Sequence, residues 1–202
     1  MRLIAIALLA SCVDKVDDRW QLDHDHVIAA RATPPVIRPG DATNLDALVA
    51  HTGQGVSVDN PLSAEMLGAP MYSEGELVPV DVILTFARTS DRSTLDPIHV
   101  RKTVYLGEPR DNPALPPITI DGVPPGDEIV VPLGRDIYLT ATTDLRVNWL
   151  TSVGTLFQDD EPTAFVRVAA ETPGDRQVGE LVVVVRDDVG GVAWRVWPMR
   201  AE

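Results

Sequence analysis

The run Glu180-Leu181-Val182-Val183-Val184-Val185-Arg186 decides the fold of the second half of the chain. Its apolar residues are continuous and mostly β-branched, which is typical of a central strand that is buried on both faces. The next residues, Asp187-Asp188-Val189-Gly190-Gly191, favour a chain reversal. Val192, Trp194 and Val196 then fall on one face of a second strand. The sequence therefore predicts a terminal hairpin with strands at Glu180–Arg186 and Gly191–Trp197.

Five more short strand candidates precede this hairpin and bring the number of strands in the second half to seven. They are separated by residues that favour turns, such as Pro-Pro-Gly, Leu-Gly and Val-Gly. Trp149 lies within one of them, as a buried tryptophan does in Ig-like sandwiches, but no cysteine pair flanks it. An Ig-like β-sandwich is therefore predicted over residues 108–202. The five candidates are Ile118–Ile120, Glu128–Val131, Asp136–Ala141, Leu145–Leu150 and Ala164–Ala169.

The first half of the chain shows strand patterns that are less regular. His51–Asp59 is rich in glycine and is predicted as a loop. Asn60–Gly68 has Asn as a helix cap, Pro in the first turn and Gly at the end, which predicts one or two helical turns. A first sandwich module is predicted over residues 27–107. Its strand candidates are Val27–Ala32, Val36–Ile37, Leu45–Val49, Leu77–Ala87 and Ile98–Leu106.

A polar, proline-rich segment, Glu108–Pro117, separates the two halves and is predicted to be their boundary. The predicted fold class is therefore all-β, with two Ig-like antiparallel β-sandwich modules in tandem. A hydrophobic share of 45% is sufficient for packed cores. The formal net charge of −13 opposes binding to nucleic-acid phosphates and to anionic lipid headgroups.

The first twelve residues combine Arg2, the apolar run Leu3–Ala10 and the small residue Ser11 before Cys12, the only cysteine. This segment resembles the lipobox of bacterial lipoproteins. The resemblance implies a lipoprotein signal peptide at residues 1–11 and a diacylated Cys12 as the new N-terminus. The run is shorter than the roughly 20 apolar residues that span a bilayer. An ordinary secretory signal, or a buried strand with a chance cysteine, remains the alternative.

Residues 12–26 are mostly polar and charged, and we interpret them as a tether between the anchor and the folded part. Val13, and not Asp, follows the cysteine. By the enterobacterial sorting rule this favours the outer membrane over the inner membrane. His24 and His26 share a face of an extended chain and are candidate metal ligands, with a solvated tether end as the alternative.

Several segments resemble predicted surface lipoproteins of myxobacteria and their relatives, which look like Ig-like modules behind a lipobox. Most members have no assigned activity, so the resemblance implies an envelope location and a fold, and no catalytic residue. The similar segments are Val27–Pro35, Arg38–Asp41, Leu45–Val49, Asn112–Leu115, Ile120–Gly122 and the terminal hairpin with Trp194.

The sequence contains no Gly-x-Ser-x-Gly elbow, no His-Glu-x-x-His and no phosphate-binding glycine loop before a helix. Carboxylates cluster in two predicted hairpin tips, where they are turn formers or, if the tips meet, calcium ligands. No cofactor is predicted, and a catalytic carboxylate pair is the less favoured interpretation. The clustered residues are Asp159, Asp160, Glu161, Asp187 and Asp188.

Tyr138, Trp194 and Trp197 are candidates for an aromatic binding patch, with core packing as the alternative. Trp197, beside Pro198, is expected to be the most exposed of the three. The leading functional hypothesis is a non-enzymatic, lipid-anchored envelope protein with a structural or adhesive role. The main rival is an accessory subunit of an envelope secretion or motility complex, with a sandwich edge pairing to a partner strand. A carbohydrate-binding module or a hydrolase is the third hypothesis.

Overall fold

The computed structural model describes residues 20–88 and 96–202. Apart from one 3₁₀ turn at Gly174–Arg176, every regular element in these ranges is a strand, which confirms the all-β fold class. In this part of the chain no helix is long and apolar enough to cross a membrane. The strands are β1 (His26–Thr33), β2 (Val36–Ile37), β3 (Asn44–His51), β4 (Gly55–Asp59), β5 (Ser63–Leu67), β6 (Val78–Phe86), β7 (Ile98–Leu106), β8 (Ile118–Ile120), β9 (Ile129–Val131), β10 (Asp136–Ala141), β11 (Arg146–Thr151), β12 (Thr155–Phe157), β13 (Thr163–Arg167), β14 (Val178–Arg186) and β15 (Val192–Ala201).

The second half forms a sandwich of two four-stranded sheets, with strand orders β12-β13-β10-β8 and β11-β14-β15-β9. Strand β9 runs parallel to β15, and the other pairs are antiparallel. Apart from β9, which is an additional strand at the edge of the second sheet, this strand order is that of the ABED and CFG sheets of the Ig constant-type fold. Trp149 on β11 is fully buried between the sheets, at the position of the tryptophan on strand C of that fold.

The first half pairs a three-stranded sheet, β1-β3-β4, with a four-stranded sheet, β2-β7-β6-β5. Strands β3 and β4 form a simple hairpin. In an Ig domain, strands D and E lie between strands C and F and join the other sheet. In this half, β5 is followed directly by β6 of the same sheet, with no strand between them. The first module is therefore a smaller sandwich whose strand order differs from that of the second.

The four sheets are stacked face to face in one body. One core fills the second sandwich, and a second core lies between its β11-β14-β15-β9 sheet and the β1-β3-β4 sheet. A third core lies between the β1-β3-β4 sheet and the outermost sheet of the first module. On β3, Leu48 and Ala50 face the second module, whereas Ala47 and Val49 face the first module's own core. The tandem modules thus share a continuous apolar interface.

Strand β14 is apolar on both faces, and each face is covered by a different core. Leu181, Val183 and Val185 belong to the core of the second sandwich, whereas Val182 and Val184 belong to the core between the modules. All five are fully buried. The predicted burial on both sides is confirmed, and the cover on the outer face is the first module.

Three local predictions differ from the structure. The helix predicted at Asn60–Gly68 is wrong, because this segment contains β5, which pairs along its length with β6. The loop predicted at His51–Asp59 contains β4, and Thr155–Phe157 forms β12, which the sequence analysis missed. All three strands lie at sheet edges. An edge strand needs little apolar alternation, so capping and glycine signals dominate the local pattern.

The segment interpreted as a tether, residues 12–26, is in part a piece of the folded body. Trp20 and Leu22 are buried, at 9% and 5% exposure, in two of the cores. They flank Thr151 of β11: its amide donates to the Trp20 carbonyl (2.9 Å), and the Leu22 amide donates to its carbonyl (3.2 Å). Residues 1–19, which include the predicted signal peptide and Cys12, lie outside the described residues.

Candidate functional site

Polar contacts cross the apolar interface between the modules at several points. Asn112, in the boundary segment, donates to the Ala32 carbonyl (2.8 Å) and accepts from the Val192 amide (2.8 Å). Glu180 accepts from the Val56 amide (2.8 Å), and burial raises the pKa of its carboxyl although this hydrogen bond opposes the rise. These contacts fix how the two modules sit on each other, because apolar packing alone is not directional.

A cleft opens at the edge of this interface, between β1 and β7 of the first module and the β14–β15 turn of the second. Its volume is about 380 Å³. Asp187 shapes the turn, because its Oδ1 accepts from the amides of Val189 (2.9 Å) and Gly191 (2.7 Å). Gly190 has φ +81°, and a Cβ there would lie 3.1 Å from the Thr103 carbonyl oxygen on β7. Glycine therefore lets the turn approach the first module closely.

Lys102 of β7 is the main feature of this inter-module cleft. It is only 7% exposed, and its Nζ donates to the Gly190 carbonyl. Burial lowers the pKa of the amine to about 8, and repulsion from Arg186 adds to the effect, whereas Asp187 opposes it. The amine lies in an environment that disfavours its charge, because the group that accepts its hydrogen bond is a neutral carbonyl.

Arg186, at the end of β14, is the second cation of the cleft. Its guanidinium donates to Asn148 Oδ1 (2.5 Å) and, across the interface, to the Ile28 carbonyl (3.0 Å). Burial lowers its pKa, and Arg146 adds a smaller repulsion. Both acceptors are neutral, so Arg186, like Lys102, is held by dipoles and not by a carboxylate.

The cleft as a whole has no signature in the sequence. Lys102 was visible as the one charged residue on the otherwise apolar face of β7, with Val100 and Val104 as its neighbours on that face. A lysine at such a position is expected to have a hydrogen-bond or charge partner, because lysine is rarely buried without one. Arg186 gave no such signal, because an arginine at the end of a strand next to a turn is ordinary.

A second candidate site lies on the outermost sheet of the second module. Tyr138 of β10 is directly opposite Phe165 of β13, and Phe165 is directly opposite Phe157 of β12. The Phe157 and Phe165 rings stack, with centroids 4.5 Å apart and planes at 9°, and the Tyr138 ring is 6.0 Å from Phe165. Tyr138 is 55% exposed and Phe157 38%. We call these three residues the aromatic row.

Polar pairs border the aromatic row on both sides. On one side Arg167 donates twice to Asp136, at 2.5 and 2.7 Å, and thereby lowers the pKa of the Asp136 carboxyl. On the other side Thr140 is paired with Thr163 and with Thr119. Apolar rings framed by polar groups are typical of the centre and rim of a protein interface.

The predicted aromatic patch is divided by the fold. Tyr138 is exposed, as a binding residue must be, and its row was not foreseen. Trp197 was expected to be the most exposed of the three, but it is 1% exposed and belongs to the core of the second sandwich, because β15 continues to Ala201. Trp194 is partly buried between the modules, with the Arg31 guanidinium 3.9 Å from its ring centroid.

The candidate calcium ligands are engaged separately. Asp187 holds its own turn, and Asp188 pairs with Arg146 (3.1 Å). Asp159 and Asp160 line a different cavity, next to Arg186. Over residues 20–88 and 96–202 no three His, Cys, Asp or Glu residues are grouped so that they could hold a metal ion.

Three of the four histidines lie at two places that could suggest chemistry. His24 and His26 do share a face, and their rings stack at 4.5 Å. His51 contacts Ser57 Oγ (3.0 Å) and Asp59 Oδ2 (3.0 Å), which brings the residue types of a hydrolase triad together. Both contacts use the same ring nitrogen, Nε2, so Asp59 does not orient the ring from the side opposite Ser57 as the aspartate of a triad does.

The sequence matches no protein-family model, and no curated protein is significantly similar to it.

Proposed function

We propose that the chain is a non-enzymatic protein of the cell envelope, anchored by a lipid on Cys12 and acting as a structural or adhesive binding module. The N-terminal resemblance to a lipobox supports the anchor, and Val13 supports the outer membrane. The aromatic row supports the binding role. It lies on the sheet farthest from the first module, with Tyr138 and Phe157 exposed, and adjacent exposed rings on a solvated sheet face are typical of an interaction site.

The geometry of the aromatic row favours a protein partner over a glycan. Adjacent strands lie about 4.8 Å apart, so two nearly parallel rings with centroids 4.5 Å apart stand side by side on the sheet. Each ring then covers one face of its neighbour, and the edges point outward. A flat sugar ring would require ring faces that are open to solvent, whereas apolar side chains of a protein can pack against edges.

Replacing Tyr138 and Phe157 by serine tests the binding role in cells that produce the full chain. Both side chains are substantially exposed, so the fold should survive. We expect the double variant to lose attachment to its surface partner, measured by crosslinking and by cell adhesion. The matched control is Val130→Ser, which removes a side chain of 42% exposure from another sheet. Equal adhesion by the double variant would remove the proposal.

The anchor is tested separately. Mass spectrometry of the N-terminal peptide should find acyl chains on Cys12. The Cys12→Ser variant should leave the membrane fraction, because serine lacks the thiol that would carry the lipid. An intact, unmodified Met1 in the native protein would contradict the anchor and leave the binding role standing.

A second candidate function, an accessory subunit of an envelope complex, is favoured by β5. All five of its residues are exposed, and it pairs only with β6 within the described chain. An apolar cavity of about 330 Å³, lined in part by Met66, Val80 and Val104, opens beside it. An extended partner strand with alternating apolar residues would pair with this edge and insert a side chain.

Site-specific photocrosslinkers distinguish the two functions. A crosslinker at Glu65 on β5 that captures one stoichiometric partner would favour the accessory subunit. A crosslinker at Tyr138 that captures the partner would favour the adhesive role.

A further inference from the structure

The inter-module cleft holds two cations whose charges are not balanced by an ion pair. Neither Lys102 nor Arg186 forms an ion pair with a carboxylate in the described part of the chain. A cation that is withdrawn from water without a counter-charge is unfavourable. Two cations without a carboxylate partner are more unusual in a chain of net charge −13, because carboxylates outnumber cationic side chains in it.

The other charged groups that line the cleft are already engaged, and Asp159 and Asp160, which line the neighbouring cavity with Arg186, form no ion pair with it in the described part of the chain. Asp187 holds the turn through two backbone amides, and its influence on Lys102 is smaller than that of burial and of Arg186. Asp188 pairs with Arg146, and Arg101, on the opposite face of β7, pairs with Asp81. Positive charge is therefore in excess in a cavity that is open to solvent.

We propose that the inter-module cleft binds an oxyanionic group, a carboxylate or a phosphate, between Lys102 and Arg186. The volume of about 380 Å³ admits a group of this size together with part of the molecule that carries it. A guanidinium can present parallel N–H groups to two oxygens of such an anion, and an ammonium adds a point charge. This site is independent of the aromatic row and of the lipid anchor.

The position of the cleft gives binding a mechanical consequence. Lys102 belongs to the first module and Arg186 to the second, so one anion would connect both. A ligand that binds only the folded, docked form stabilises it in proportion to the logarithm of its concentration. The competing explanation is that Lys102 serves only to clamp the turn through the Gly190 carbonyl.

The test uses the full chain and two probes, inorganic phosphate and acetate, against chloride at matched ionic strength. We expect a saturable rise in the unfolding temperature with at least one probe. If only phosphate acts, the site takes phosphorylated ligands, and if only acetate acts, it takes carboxylates. Because the chain has only two lysines, Lys15 and Lys102, ¹⁵N-lysine labelling gives a direct readout, in which the Lys102 Nζ signal should shift and the Lys15 signal should not.

Variants separate binding from clamping. Lys102→Met should weaken the anion's apparent affinity by about 10- to 100-fold, as expected for a lost charged hydrogen bond, and Arg186→Gln should act in the same direction. Arg135→Gln, which removes a positive charge from an exposed residue elsewhere, should leave the affinity unchanged. No saturable response to either probe, or the same response in wild type and Lys102→Met, would overturn the proposal.

Discussion

Lys102→Met should change the pH dependence of stability in a defined window. The folded-state pKa of Lys102 is about 8, whereas that of an exposed lysine is 10.5. Between these values the unfolded chain holds more protons than the folded chain, so the wild type gains stability as pH rises. The difference of about 2.5 in pKa corresponds to roughly 3 kcal/mol. Methionine has a stem of similar length and no proton to release, so the variant lacks this gain.

Guanidinium chloride unfolding of both proteins from pH 7 to pH 10.5 measures the effect as a double difference. Titrations of groups elsewhere cancel in this difference. The other titratable groups that line the cleft remain in both proteins, namely Arg101, Tyr105, Arg146, Arg186, Asp187 and Asp188. We expect the wild type to gain roughly 3 kcal/mol on the variant across the window, with most of the change above pH 8. Parallel pH profiles would refute the burial of a charged amine at this position.

Three further substitutions test the interface and its turn. Val184→Ala, in the core between the modules, should lower the free energy of unfolding by about 2 kcal/mol. The control Val178→Ala, on the same strand with the side chain 67% exposed, should change it by less than about 0.5 kcal/mol. Similar losses in the two variants would contradict the stacking of the sheets. Gly190→Ala should cost more than Gly122→Ala, because both have positive φ but only Gly190 also lies close to a neighbouring carbonyl; equal losses in thermal unfolding would show that the turn is not packed on β7. Asn112→Ala should cost about 1–3 kcal/mol in denaturant unfolding, because two backbone groups lose their partner, and no loss would mean that water replaces the amide.

The sequence predicted the elements of the second module well because its signals are local. Alternation, β-branched runs and turn residues at Asp136–Ala141 and Glu180–Arg186 specify strands without reference to the rest of the chain. The continuous run on β14 also indicated burial on both faces. It did not indicate what covers the outer face, because an apolar face carries no information about its partner.

Edge strands and the candidate sites were harder to predict, because both depend on pairing between strands that are distant in the sequence. Strand β5 is flanked by the capping and glycine residues of a short helix, Asn60, Pro61 and Gly68, and only its pairing with β6 shows that it is extended. Tyr138 was a candidate, but Phe165 and Phe157 join it through strand register, which turn signals do not fix between distant strands. Trp197 was placed outside because β15 was expected to end there, whereas it continues to Ala201.

The two sandwiches share an apolar core, in which the first covers the outer face of β14 and leaves the aromatic row facing outward. Residual dipolar couplings of backbone amides test this most directly, because they report the orientation of each module in a common frame. Couplings from β1–β7 and from β8–β15 should fit a single alignment tensor with the modules placed as in this structure. Two tensors of different magnitude or orientation would contradict the shared interface.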